Sequence, residues 1–136
     1  MKYLLLLLFP LAAIIACAAE DEPTPMAEIE IRATIGPLCP VANVTDQTPC
    51  GFSVTKLNEI YGSYTLKILS DKGDGGTEVF STKLMYPAKI IKSLPMGNYS
   101  IQVNDQTTAV ITGIESFAIN SVAKQIIELN IDTGIR

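Results

Sequence analysis

The chain has no histidine, only three cysteines among its 136 residues, and no run of basic residues longer than two. Each scarcity excludes something. Without imidazole, a serine or cysteine nucleophile loses its usual base, and only a lysine or carboxylate could stand in. A hydrolase-type enzyme therefore ranks last among the function classes considered. A zinc site wants further Cys or His ligands than the chain can offer. Ten basic residues face fourteen acidic ones. Counted from Cys17 onward the balance is nine to fourteen, a net charge of about −5. Nucleic acid and electrostatic attachment to a membrane surface are poor partners for such a chain. The longest apolar run, Leu4–Ala16, spans thirteen residues and contains Pro10, whereas a bilayer-spanning helix needs roughly 20. Nowhere does a helical stripe of four turns appear.

What is present begins at the N-terminus. Lys2 followed by Leu4–Ala16 reads as the n-region and apolar core of a secretory signal. The segment Ile14-Ile15-Ala16-Cys17 resembles the lipobox of bacterial lipoproteins. That resemblance implies cleavage before Cys17, a diacylglycerol on its thiol and an acylated amine. One myristoyl chain alone binds a membrane only marginally, so durable anchoring takes more than one. Residues 1–16 are thus expected to be the lipoprotein signal peptide. Residues 17–26, with Glu20, Asp21, Glu22, Pro23 and Pro25, are expected to form an extended lipidated tether. Ala18 rather than aspartate follows the cysteine, which in proteobacterial lipoproteins implies delivery to the outer membrane.

With Cys17 acylated, Cys39 and Cys50 remain as an even pair in Gly36–Phe52, GPLCPVANVTDQTPCGF. Export implies an oxidising compartment, where a disulfide is the expected state of such a pair.

From Ala27 onward the pattern has period two. Ile29, Ile31, Ala33 and Ile35 alternate with Glu28, Glu30, Arg32 and Thr34. The same alternation runs through Tyr64–Ile68, Tyr99–Asn104 and Ile127–Ile131, with shorter candidates at Thr77–Met85, Lys89–Leu94, Ala109–Thr112 and Ser116–Asn120. Turn residues separate them at Gly73–Gly76, Pro95–Asn98 and Asn104–Gln106. Strands with one apolar and one polar face predict an all-β chain, a β-sandwich of seven or eight strands in two antiparallel sheets over residues 27–136.

The strand running into Gly36-Pro37-Leu38-Cys39-Pro40-Val41, the element Ser93-Leu94-Pro95-Met96-Gly97-Asn98-Tyr99-Ser100-Ile101 and the ending Ile131–Arg136 together resemble the prealbumin-like domains of secreted bacterial proteins. These relate to the carboxypeptidase regulatory-like and transthyretin-like sandwiches, so the resemblance implies an immunoglobulin/prealbumin-like topology. The chain departs from the family at Leu84–Ile91, LMYPAKII, and at Met96, where a second proline is common. Hydroxyisourate hydrolases of the transthyretin-like group use histidines and a terminal Tyr-Arg-Gly-Ser. This chain has neither, so the resemblance does not carry that activity over.

Candidate site residues are few. Pro95, Gly97 and Tyr99 read as a structural turn, proline fixing the first position, glycine allowing positive φ, and the tyrosine tip free to reach a backbone carbonyl. Asp71, Asp74 and Glu78 are weak candidates for calcium in a Gly-rich turn. Their spacing fits no EF-hand and Lys72 opposes a cation, so a solvated hairpin turn is favoured. No cofactor is expected. The composite expectation is a noncatalytic lipoprotein held to the membrane through its lipid, binding or assembling with an envelope protein or glycan. The rival is a structural subunit that assembles by β-strand augmentation.

Overall fold

The period-two face of the first strand is the floor of the core. In the computed structural model, which describes residues 22–40, 47–71, 76–104, 110–113 and 116–135 (backbone alone at 104 and 110–113), strand β1 runs Met26–Gly36. Ala27, Ile29, Ile31, Ala33 and Ile35 are buried along it. Helix α1 (Val54–Tyr61) follows, then β2 (Thr65–Ser70), β3 (Thr77–Lys83), β4 (Ala88–Pro95), β5 (Gly97–Asn104), β6 (Val110–Gly113), β7 (Ser116–Ile119) and β8 (Gln125–Asp132). Two four-stranded sheets result, ordered β4-β1-β8-β6 and β3-β2-β5-β7. Their inner faces meet in one core that includes Ile31, Leu66, Ile68, Ile101, Ile127 and Leu129. The protein is a β-sandwich of eight strands.

The first sheet differs from expectation in one respect. β1 pairs antiparallel with β4 but parallel with β8, Ile31 standing opposite both Ile90 and Ile127. Alternation fixes which residues face inward, yet it is blind to strand direction. Two strands almost a hundred residues apart need no short connection, so nothing local betrays their polarity.

Helix α1 is the second addition. At eight residues it is two turns long, too short to show a sustained stripe. Ser53 caps it by accepting from the Lys56 amide at 3.2 Å, and Leu57 and Tyr61, four residues apart on one face, are buried. The Tyr61 hydroxyl accepts from the Ile35 amide at 3.3 Å, and its ring meets Tyr86 edge to face at 5.4 Å. Asn58 accepts from the Tyr86 amide at 2.9 Å. The helix therefore plugs the end of the sandwich where β1 finishes. Burial pushes the Tyr61 phenol above its ordinary pKa.

Candidate functional site

The end of the sandwich beyond β1 is fastened three ways. Cys39 and Cys50 form a disulfide, their Cα atoms 6.1 Å apart. The Thr133 amide donates to the Gly36 carbonyl at 3.3 Å, and the Thr133 hydroxyl donates to the Pro37 carbonyl. Thr48 closes the far side of the loop by donating to the Phe52 carbonyl at 2.7 Å. Cys50 itself sits at φ 56°, a region that non-glycine residues seldom enter. Between Ile35, Leu38, Pro49 and the bridge lies a mostly apolar cleft of about 170 Å³. Residues 41–46 of the loop lie outside the described residues.

At the opposite end the Leu-Pro-x-Gly-x-Tyr element turns the chain from one sheet to the other, since β4 and β5 belong to different sheets. Gly97 has φ 154°. The Tyr99 hydroxyl donates to the Pro95 carbonyl at 2.7 Å, and its ring stacks on Phe117 at 5.5 Å. Burial raises the phenol's pKa. Tyr99→Phe removes this hydroxyl donor but keeps the stacked ring. The expected loss is about 1 kcal/mol of unfolding free energy by urea titration, with the fold retained.

The outer face of the first sheet carries a feature that sequence reasoning missed. Glu30 has outward parity beside Glu28 and Arg32, yet its side chain is only 3% exposed. Three cations cover it: Lys124 at 2.7 Å, Arg32 at 2.8 Å and Lys89 at 3.3 Å. Each is about half exposed, so the carboxylate is buried beneath cations that themselves stay in contact with water. The hydrogen bond from Lys124, then that from Arg32, and to a lesser degree Lys89 hold the Glu30 carboxyl at a pKa of about 2, against burial that pushes it up. Because the folded value lies below the ordinary 4.5, the group stabilises the fold above pH 4.5. That contribution is lost as pH falls through about 2. Glu30→Gln should thus have a lower urea midpoint than the parent at pH 7, with the gap closing as both approach pH 2. An unchanged gap across that window would show that the carboxylate's charge is irrelevant.

Of the weak calcium candidates, Glu78 holds Lys67 at 2.8 Å. Asp71 is exposed, and its backbone amide donates to the Asn98 carbonyl. Asp74 lies outside the described residues, as does Cys17. Among the described residues no three Cys, Asp or Glu side chains gather as a metal site requires. The strands flanking this turn, β2 and β3, pair antiparallel, with a β-bulge that leaves Val79 unmatched between Ile68–Phe80 and Leu69–Glu78. Among the described residues no helix is long and apolar enough to cross a membrane.

These features define a class, a small disulfide-pinned two-sheet β-sandwich. No family profile matches the chain and no characterised protein is similar to it by sequence. Solved structures similar to it include a DUF3823 family protein from Parabacteroides merdae (14% identity, TM-score 0.46, 80% of this chain and 47% of that one). The shaft pilin SpaA of Lactobacillus rhamnosus GG, an E269A mutant, is another (10%, 0.42, 82% and 51%). A third is the TIE protein of Bacillus anthracis (19%, 0.38, 77% and 17%). The chain spans about half of the first two and a sixth of the third.

Proposed function

We propose that the protein is a noncatalytic, lipid-anchored module of the bacterial cell envelope, a sandwich that presents its disulfide-pinned end to an envelope protein or glycan. One observation carries this reading. The N-terminal segment enters β1 at Met26, and the disulfide lies just beyond the other end of the same strand, after Gly36. Ten residue steps at about 3.3 Å separate those ends by roughly 33 Å. An acyl group on Cys17 would therefore tether the sandwich by the end opposite the cleft beside the Cys39–Cys50 bridge. Among the described residues, the titratable groups with unusual surroundings are already committed to the fold: Glu30 to its three cations, Tyr99 to Pro95, Tyr61 to Ile35.

The test is in two stages. Mass spectrometry of the mature N-terminus should find an acylated Cys17, and Cys17→Ala should move the chain from the membrane to the soluble fraction. Crosslinking in intact envelopes should then yield adducts from residues near the bridge. Recovery of nothing above background in the membrane-bound parent would remove the basis for display. The second reading, a structural subunit assembling by strand augmentation, is favoured by β3, a seven-residue sheet-edge strand with every residue exposed or half exposed.

A further inference from the structure

Four strands lie at sheet edges: β4 and β6 in one sheet, β3 and β7 in the other. Natural edges are blunted by shortness, lysine or proline. β6 and β7 are four residues each, and β4 carries Lys89, Lys92 and Pro95. β3, Thr77-Glu78-Val79-Phe80-Ser81-Thr82-Lys83, has no proline and one lysine, at its end. Its register against β2 shows which way its residues face. Phe80 and Thr82 stand opposite the buried Ile68 and Leu66, so they share the inner face. Ser81 and Lys83 stand opposite Lys67 and Thr65 on the outer face. The bulge at Val79 brings Glu78 back to the outer face opposite Leu69. Without it, Glu78 and Lys83 would point to opposite sides.

We propose that a second copy of this chain pairs antiparallel with β3 about a two-fold axis through Ser81, making one continuous eight-stranded sheet across the dimer. This rests on the assembly reading above and gives it an occupant and a register. Continuity of the inner face requires residues of like facing to oppose each other. With Ser81 opposite itself, Phe80 meets Thr82 of the other copy. A bulge sets two residues against one, so Val79 and Glu78 together face Lys83 of the other copy. Charge follows geometry: each end of the junction joins the single acid of one β3 to the single base of the other. Among the described residues Lys83 has no ion-pair partner. Glu78 uses Oε2 on Lys67, which leaves Oε1 for a second cation. A two-fold interface makes each such contact twice. The bulge, ordinarily a device that spoils an edge, here brings the charges into register.

The register is tested in the full-length chain by cysteine placement. Ser81→Cys should form a disulfide-linked dimer under oxidising conditions, because opposed residues of an antiparallel pair lie within bridging distance. Lys83→Cys should not, since its two copies are about four residues out of step. Sedimentation velocity should show a concentration-dependent dimer weakened about tenfold by Glu78→Lys or by Lys83→Glu, and restored when both are combined. Equal bridging by the two cysteine variants would overturn the proposal, as would a monomer at every concentration or a dimer indifferent to charge reversal. A monomer that still crosslinks to an envelope partner defeats this pairing and leaves the display reading standing. A dimer with no other envelope partner does the opposite.

Discussion

Replacing Cys39 and Cys50 together by serine is expected to lower the unfolding free energy by about 3 kcal/mol. The bridge closes a loop of sequence separation 11, and the chain-entropy account of a closure that short gives this magnitude. The effect acts on the unfolded chain, so two observations should accompany it. Urea unfolding of the variant should have a steeper denaturant dependence, because the released chain exposes more surface. Reduction of the parent should reproduce the loss without any substitution. The native contacts at the bridge temper the expectation in a definite way. Cys50 occupies φ 56°, so a glycine there sheds backbone strain that serine retains. The Cys39→Ser, Cys50→Gly pair should be more stable than the double serine by roughly 1 kcal/mol. If the two variants unfold at the same midpoint, Cys50 leaves that conformation once unbridged.

The second large effect lies in the middle of β1. Ile31 is fully buried and stands in register with Ile90 on one side and Ile127 on the other. Ile31→Ala leaves a cavity that the two flanking strands, each held in register with β1, cannot collapse to fill. The expected cost is roughly 2–5 kcal/mol, a large fraction of the roughly 5–15 kcal/mol that holds a domain of this size. Ile91 supplies the control. It lies opposite Glu30 on the outer face and is 54% exposed, so Ile91→Ala should change stability by no more than about 0.5 kcal/mol. Chemical denaturation of both variants decides the matter. Comparable losses would mean that the outer face of this sheet is covered.

The contrast between Ile31 and Ile91 marks where reading the chain succeeds. Period two located β1, β2, β5 and β8, and turn residues bounded the shorter strands to within a few positions, because facing is a local property of an extended backbone. The pairing of Cys39 with Cys50 followed from cysteine arithmetic and an expected destination. α1 escaped since two turns present only Leu57 and Tyr61 as a stripe, although Ser53 before it and Gly62 after it were its punctuation. Glu30 escaped for a different reason. Its outward parity says solvent, and its burial depends on Lys89 from β4 and Lys124 from the loop before β8, residues that only the tertiary fold brings together. The parallel junction of β1 with β8 is equally nonlocal. The facing of Glu78 was hidden by a single unmatched residue in the β2–β3 ladder.

That parallel junction has a consequence for how the molecule comes into being. β1 is an interior strand, but one of its two neighbours is β8, which ends at Asp132. A chain emerging N-terminus first, from a ribosome or through a pore, must carry an apolar ribbon with one flank unzipped until β8 arrives, almost a hundred residues later. Contacts of such sequence separation come late and slowly. Closure of this sheet thus waits on β8, and until then the polypeptide stays threadable.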